Sequence, residues 1–506
     1  MEIRIHPLVV QLAVAALGAL VGLWLLAFRL LPAGPGRARA ERATRPVLIA
    51  LAAAGAAGFF VLSASPQDFV KTWDVEHSVL GAKYARELGY FRIYRCILAL
   101  DAQAAGSFRA IEAASDLRQP MAAVSRAELL RDAECERHFT PERRRDFVAD
   151  LAFFQSLPDQ PLRQLWFSDN GYNQTPFFTL LVGPLLERLP LRHGTLLGLA
   201  LVDPLLIGLA LAAAFRAFGA RVGLVAALFF FTEVPNQWNV MGGSILRFGY
   251  LALAVLGACA LARGRARVAG VAFGLAALLQ VFPAIYPAAL VLWAGLRRLR
   301  GERLPEWLPG LVGGFAASVG LGLALSTWVV GAGAWPEFAE KIALHGRILS
   351  LYRIGLKPCV VLDHFLAPAP DYDYAAALQA LAARAPLHAG LAALLGLGAL
   401  SLARKLGPQA FAASVLAVGL TVLTPVHYYF SALVLLLLVG EVDAKGPAWA
   451  ATATALFAWS VTGYASLLAT DSRAFTNSTV LSAGLLAVLA IHLAAFRAER
   501  RTARAA

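Results

Sequence analysis

The sequence predicts an all-α polytopic membrane protein, in which about 13 transmembrane helices carry a helical extracytoplasmic cap. The 506 residues are 59% hydrophobic and only 15% charged, whereas soluble domains are typically about 45–50% apolar and about 25% charged. Many apolar runs approach the roughly 20 residues that a helix needs to cross a membrane. Basic residues cluster in short segments between these runs, which is typical of loops on the cytoplasmic side.

The N-terminal unit, residues 1–64, contains two predicted spans at 8–30 and 46–64. The loop between them, 33–45, is short and rich in arginine, so we expect it in the cytoplasm. The first span lacks a small-residue cleavage site and is therefore expected to stay as a helix. The second span then delivers the chain to the outer side.

Residues 65–194 form the predicted cap, and their first part, 65–173, is a long polar stretch that the charge rule does not constrain. Apolar residues recur at helical spacing in Leu80, Tyr84, Leu88 and Phe91, which indicates an amphipathic helix. Within the cap, the apolar segment 174–190 contains three prolines. We interpret it as a re-entrant or surface-lying segment, because a full crossing would place later basic clusters outside.

Residues 195–506 form the predicted transmembrane bundle, with an outer loop at 331–385 and a cytoplasmic C-terminus. The predicted spans are 195–215, 222–235, 245–262, 268–281, 284–297, 308–330, 386–404, 409–424, 427–440, 448–468 and 480–497. With these spans, the later basic clusters all lie in the cytoplasm. The sequence thus indicates a multi-pass protein of the cytoplasmic (inner) membrane with its polar loops facing outside.

Composition also bears on partners and cofactors. The net charge of +13 resides in loop clusters that act as orientation signals, so we expect no nucleic acid as partner. Cys96 and Cys135 both lie in the predicted cap and could form a disulfide, although spacing alone does not fix connectivity. We expect no cofactor and no metal, and interpret the "DYD" at 371–373 as a helix cap rather than a metal ligand pair.

Polar and ionisable residues collect in the segments predicted to lie outside. This one-sided distribution favours an enzyme that works at the membrane surface, since a transporter places ionisable groups along a path through the midplane. Asp203 is the exception. It is either a functional buried acid or the cap of a helix that begins at Pro204.

The order of several motifs over roughly residues 60–440 resembles glycosyltransferase family 87. An acid in the first outer loop, Asp74, precedes an Ala-rich helix that ends at Gly89. The further motifs are "YNQTPFFTLLVGPLLERLP", "NQWN" at 236–239, "GVAFGLAALLQVFP" and "TPVHYY" at 424–429. This sequence departs from the family pattern at Gln280, where lysine is usual, and in the last motif, which lacks a tryptophan.

The resemblance implies a GT-C fold and a polyprenyl-phosphate sugar as donor. Mannose or arabinofuranose would move to a hydroxyl of a lipid, glycan or protein acceptor, without a metal. It also implies that Asp74 is the general base of a direct displacement with inversion, the alternative being that Asp74 caps its helix.

A leaving phosphate needs cations or hydrogen-bond donors. The candidates for binding it are His345, Arg347, Arg353, Lys357 and His427, with Arg247 as a weaker one. The candidates for contacting the sugar or acceptor are Glu76, His77, Gln237, Asn239 and Tyr428. The basic segment 341–357 could instead be an interfacial helix that binds lipid headgroups, and the amides could serve helix-end packing.

We therefore expect a monomeric glycosyltransferase whose partners are the lipid-linked donor, the acceptor and membrane lipids. Two other functions stay open from the sequence. A transporter or lipid flippase would have Asp203 lining an aqueous path. A non-catalytic assembly protein of the cell envelope would tolerate substitution of both Asp74 and His345.

Overall fold

A computed structural model describes residues 7–30, 35–103, 108–119, 121–130, 134–157, 167–235, 237–238, 242–350, 352–365, 373–440, 446–469 and 474–499. Helices make up 78% of it, which confirms the all-α class. The first two helices are α1 (Pro7–Leu30) and α2 (Pro35–Phe60), followed by a 3₁₀ turn at Val61–Ser63. Each contains an apolar stretch long enough to cross a membrane, Leu8–Phe28 in α1 and Arg42–Phe60 in α2. Helix α2 already begins at Pro35, within the segment 33–45 that was predicted to be a loop.

The cap is built from short helices and one small hairpin. Its elements are α3 (Pro66–Phe69), α4 (Thr72–Lys83), α5 (Ala85–Leu88), α6 (Ile93–Gln103), β1 (Ala113–Ser115), β2 (Ala123–Ser125), α7 (Arg126–Leu130), α8 (Glu134–His138), α9 (Pro141–Gln155) and α10 (Pro176–Arg188). A disulfide between Cys96 and Cys135 joins α6 to α8 and confirms the pairing that the sequence left open.

The hairpin is a departure from the all-α prediction. Strands β1 and β2 pair antiparallel across a turn that begins at Asp116. The Asp116 carboxylate accepts from the Arg118 main-chain N–H at 2.8 Å, which is the local bond that favours turns at aspartate. So short a hairpin leaves little period-2 signal in a sequence rich in alanine and arginine.

The segment 174–190 contains α10, whose 13 residues span about 20 Å. This length is short of the roughly 30 Å hydrocarbon core and so favours a re-entrant or surface-lying segment. The helix packs closely on α4: a Cβ added at Gly183 would lie 2.8 Å from the Ala82 carbonyl oxygen. This contact fixes α4, the helix that carries Asp74, against α10 within the cap.

The C-terminal part is a bundle of longer helices with an outer segment of short ones. Its helices are α11 (His193–Ala200), α12 (Val202–Thr232), α13 (Gly249–Ala262), α14 (Ala266–Leu279), α15 (Ile285–Arg298), α16 (Leu308–Val330), α17 (Ala334–His345), α18 (Leu356–Val360), α19 (Leu362–Phe365), α20 (Tyr374–Ala383), α21 (Ala385–Ser401), α22 (Pro408–Leu423), α23 (Pro447–Ala469) and α24 (Ala474–Ala498), with 3₁₀ turns at Phe282–Ala284, Leu402–Arg404 and His427–Leu436. Asp373 caps α20 by accepting from the Ala376 N–H. This confirms its interpretation as a cap, while residues 371 and 372 lie outside the described part.

Helix α12 bends sharply at Gly219, where φ is 84° and ψ is 165°. A Cβ added at Gly223 would meet Phe215, so the two halves of α12 lie side by side. The sequence predicts this break, because it places spans 195–215 and 222–235 on either side of the two arginines that flank Gly219.

Six described helical segments are long and apolar enough to cross a membrane: Leu8–Phe28, Arg42–Phe60, His193–Thr232, Leu308–Val330, Ala385–Arg404 and Ser478–Ala498. They mark the chain as a membrane protein, whereas the full set of about 13 spans stays a prediction. Several predicted spans are shorter helices, such as α13, whose 14 residues reach about 21 Å. The 3₁₀ helix within predicted span 427–440 is 10 residues long.

Glycines allow two helices of the bundle to approach each other closely. Helices α14 and α16 approach so closely that a Cβ at Gly270 would lie 2.1 Å from the Leu311 carbonyl oxygen. Conversely, a Cβ at Gly314 of α16 would lie 2.3 Å from the Arg267 carbonyl oxygen of α14. Such small-residue contacts are typical of helix packing in membranes.

Candidate active site

Asp74 lies in the first turn of α4, and its carboxylate forms an ion pair with the Arg247 guanidinium. The Arg247 side chain is 8% exposed and that of Asp74 is 19% exposed. Arg247 belongs to the irregular segment before α13, so the pair connects the cap to the bundle. A positive charge therefore lies opposite Asp74, as predicted. It belongs to Arg247, which the sequence indicated only as the weaker candidate.

The segment that carries Arg247 is held by Asp203. One carboxylate oxygen of Asp203 accepts from the Arg247 main-chain N–H at 2.8 Å, and the other accepts from the Phe248 N–H at 3.0 Å. Asp203 thus fixes the two residues that immediately precede α13. Asp203 does not cap a helix that begins at Pro204, because its own helix begins at Val202, and its carboxylate instead accepts from main-chain N–H groups of a neighbouring segment.

Gly243 locks the same segment against the start of α4. Its φ is +71°, and a Cβ added there would lie 1.8 Å from the Phe69 carbonyl oxygen. The Lys71 N–H donates to the Gly243 carbonyl at 3.1 Å. Main chain therefore meets main chain here, which only glycine permits, and this close approach sets Arg247 opposite Asp74.

Tyr428 lies on the other side of Arg247. The guanidinium is 4.8 Å from the centre of the Tyr428 ring, within the range of a cation–π contact. The Tyr429 ring is 4.5 Å from that of Tyr428, and the Tyr429 hydroxyl donates to Gln280 at 3.0 Å. Gln280, which stands where the resembled family has lysine, thus orients this pair of tyrosines.

His427 joins three parts of the chain. Its Nδ1 lies 2.5 Å from the Pro235 carbonyl oxygen, and its main-chain N–H donates to the Tyr352 carbonyl at 2.7 Å. These bonds hold the segment around Tyr352 beside the tyrosines. His427 is in the predicted neighbourhood, but the contact at Nδ1 is made to main chain.

Arg353 and Lys357 bind the carbonyl end of α17. Arg353 donates to the carbonyl oxygens of His345 at 2.7 Å and of Thr424 at 3.3 Å. The Lys357 ammonium donates to the Gly346 carbonyl at 2.7 Å. Cations at a helix C-terminus satisfy its unpaired carbonyls and its negative dipole end.

The other two basic candidates of this segment behave differently. Burial lowers the pKa of His345 to about 3, with the positive charges of Arg353 and Lys341 adding to the effect. His345 is therefore a neutral imidazole at pH 7 and can serve a phosphate only as a hydrogen-bond donor. Arg347 is exposed, and its main-chain carbonyl accepts a hydrogen bond from the Tyr374 hydroxyl.

His77 lies three residues after Asp74 on α4 and is buried. Its Nδ1 is 3.5 Å from Oδ2 of Asp169, while the other carboxylate oxygen, Oδ1, accepts from the Tyr94 hydroxyl. Lys341 is buried nearby, with its ammonium 5.1 Å from the centre of the Phe91 ring. Burial lowers the pKa of Lys341 to about 8, while Asp169 opposes this shift.

These residues are connected by contacts and by interactions between charges, and we call the group the polar ring. Its members are Asp74, Arg247, Tyr428, Arg353, His345, Lys341, Asp169 and His77. Direct contacts link Asp74 to Arg247, Arg247 to Tyr428 and His77 to Asp169, and the Arg353 side chain donates to the His345 main-chain carbonyl. Arg353 also pairs through its main chain with Val426, two residues before Tyr428. Interactions between charges connect His345 with Lys341, Lys341 with Asp169 and His77 with Asp74. The ring draws on the cap, the outer segment and the bundle.

Three predicted contact residues are not in the ring. Gln237 donates to the Glu233 carbonyl at 2.8 Å and to the Tyr464 hydroxyl at 2.5 Å inside the bundle. Glu76 is buried on α4 and does not face solvent. Asn239 lies outside the described residues.

Sequence reasoning missed Asp169 and underrated Arg247. Arg247 stands at the edge of an apolar run, where a charge requires a buried partner of opposite sign. This requirement is the signal that connects Arg247 with an acid such as Asp74. Asp169 carries no such signal, because it follows a stretch of the cap without periodicity. Only the folded chain brings it to His77.

Two further features do not contribute to the ring. A groove of ≈ 390 Å³ between α1 and α2 is lined mostly by apolar side chains such as Leu20 and Val47. Among the described residues, no three His, Cys, Asp or Glu side chains are grouped to hold a metal ion.

No family model, curated protein or solved structure matches the chain, so the resemblance to glycosyltransferase family 87 stays a prediction.

Proposed function

We propose that the protein is a membrane glycosyltransferase that uses a polyprenyl-phosphate sugar, mannose or arabinofuranose, on the extracytoplasmic face. The observation that carries the proposal is the buried pair of Asp74 and Arg247 within a ring of ionisable side chains. An acid and several donors to an anion are what transfer from a phosphate requires.

Asp74 is the proposed base. Burial of its carboxylate raises its pKa, but the Arg247 guanidinium, together with Ser244 and His77, more than offsets burial, and the pKa is lowered below its usual value. The carboxylate is therefore ionised at neutral pH. In the proposed reaction it takes the proton of the acceptor hydroxyl while the oxygen attacks the anomeric carbon, and the bond to the phosphate breaks.

Arg247 and Arg353 are the proposed donors to the departing phosphate. Both are buried, and arginine presents a planar set of N–H donors that matches phosphate oxygens. His345, as a neutral imidazole, and Lys357 supply further N–H donors. The acceptor, a lipid, glycan or protein hydroxyl, would reach Asp74 from the side of Glu76 and His77.

The environment of Asp203 favours an enzyme over a transporter. Asp203 is 0% exposed, and each of its carboxylate oxygens accepts a main-chain N–H. A transporter that used this acid would need it to face an aqueous path. Here it serves as a scaffold for Arg247.

A label-transfer assay in isolated membranes tests the proposal. Wild-type membranes incubated with radiolabelled polyprenyl-phosphate mannose or arabinose should move label to an acceptor, whereas Asp74→Asn should abolish transfer. Asp68→Asn is the matched control, because Asp68 is an exposed acid on α3 and should leave transfer unchanged. Unchanged transfer by Asp74→Asn, or movement of intact donor across vesicles, would refute the assignment.

A further inference from the structure

Two buried arginines of the polar ring keep an unused donor. The Nε–H of Arg247 and the Nε–H of Arg353 are both buried and have no hydrogen-bond partner among the described residues. The Arg247 side chain is 8% exposed and Arg353 is 6% exposed. A buried N–H donor without an acceptor costs about 1–3 kcal/mol. Two such donors close together therefore indicate that a ligand supplies the acceptor.

Both unused donors belong to residues that lie beside the same segment. Arg247 lies over the Tyr428 ring, and the Arg353 main chain pairs with that of Val426, two residues before Tyr428. A ligand with several anionic oxygens beside Tyr428 could therefore accept from both guanidinium groups. A phosphate ester has this chemistry, and its charge-assisted bonds to arginine are strong.

Asp74 competes with such a ligand for Arg247. The Asp74 carboxylate holds the guanidinium in an ion pair, and a phosphate nearby would be repelled by that carboxylate. The Arg247 main chain cannot follow the ligand, because Asp203 holds the N–H groups of Arg247 and Phe248. The exchange of partners is thus confined to one side chain.

We propose that Arg247 is a latch on Asp74 which the phosphate of the bound donor releases. The phosphate binds between Arg247 and Arg353, draws the Arg247 guanidinium from Asp74, and leaves the carboxylate free for the acceptor hydroxyl. This inference rests on the proposed function and adds an order to it: the base acts only after the donor has bound. No covalent bond changes in the step, since only an ion pair is exchanged.

Binding of a polyprenyl monophosphate, which lacks the sugar, tests the latch. Asp74→Asn should bind this probe more tightly than the wild type, because the neutral amide holds Arg247 only through a hydrogen bond and no longer through an ion pair. If the latch leaves Arg247 free about a tenth of the time, the gain is about tenfold. Arg247→Met should bind more weakly than the wild type, and the corresponding polyprenol should bind equally to all variants.

Asp169→Asn is the matched control. It removes one negative charge from the polar ring without touching Arg247, and so measures the general effect of charge on affinity. A gain for Asp74→Asn well above that of Asp169→Asn supports the latch. An equal gain, no gain or a loss in Asp74→Asn overturns it and leaves the proposed transferase intact.

Two further readouts separate the remaining outcomes. If the wild type and all variants fail to bind the monophosphate, the proposed donor class itself is wrong. If Asp74→Asn does not fold, infrared difference spectra of the wild type with and without the monophosphate replace it. A shifted carboxylate band that Arg247→Met lacks supports the latch, and an unchanged carboxylate spectrum overturns it.

Discussion

Replacing Asp74 with asparagine should destabilise the protein through Arg247. The two side chains are 19% and 8% exposed, so the substitution leaves a guanidinium charge buried without its counter-ion. Removing one partner of a buried ion pair typically costs about 3–5 kcal/mol. Because asparagine keeps the side-chain oxygen as an acceptor for Arg247, we expect the lower end, about 3 kcal/mol.

The double variant Asp74→Asn/Arg247→Met separates stability from chemistry. It removes both charges and fills the site with an apolar side chain, so it should recover most of the lost stability. It should regain no sugar transfer, since the base is still absent. Unfolding titrated with SDS in mixed detergent micelles measures the stability of each variant, and the label-transfer assay measures activity.

The reasoning would be refuted by either of two results. Asp74→Asn as stable as the wild type would mean that the ion pair is not formed in the protein. A double variant as unstable as Asp74→Asn alone would mean that the loss does not come from the uncompensated charge of Arg247.

Three other predictions concern the supports of the site. Cys96→Ser opens a disulfide between residues 39 apart and should destabilise the cap by about 4 kcal/mol, seen as faster limited proteolysis; an equally resistant cap would contradict this. Gly243→Ala combines positive φ with a main-chain clash and should cost at least about 2 kcal/mol and most transfer, whereas Gly264→Ala, at φ +72° in open space, should retain transfer. Lys341 has a folded pKa of about 8 against an ordinary 10.5. The unfolded chain therefore binds more protons between these values, and the wild type should gain stability over Lys341→Met as pH rises from 8 to 10.5; equal slopes would refute it.

Long uniform helices were predictable from the sequence. Helix α16 (Leu308–Val330) has the bounds of its predicted span, because a continuous apolar run follows a turn rich in charge and proline. The hairpin of β1 and β2 was not predictable, since three-residue strands produce no measurable alternation. The 3₁₀ helix His427–Leu436 was read as part of a span because its composition is apolar, and composition does not distinguish 3₁₀ from α geometry.

The sequence predicted which residues belong to the candidate site better than it predicted the contacts that these residues make. The sequence indicated Asp74, His345 and Arg353, but it did not indicate that Arg353 would bind the carbonyl end of α17. That bond depends on where the chain returns after the helix, which is a tertiary outcome. The pairing of Asp74 with Arg247 likewise joins residues 173 apart in the chain, so local patterns carry little trace of it.

The anomeric configuration of the transferred sugar tests the central claim most directly. If Asp74 acts as the base of a single displacement from the phosphate, the sugar in the product should have the configuration opposite to that in the donor. Nuclear magnetic resonance of the product made from a polyprenyl-phosphate sugar of defined configuration gives the answer. Inversion is the predicted result, and a product with retained configuration would contradict the account.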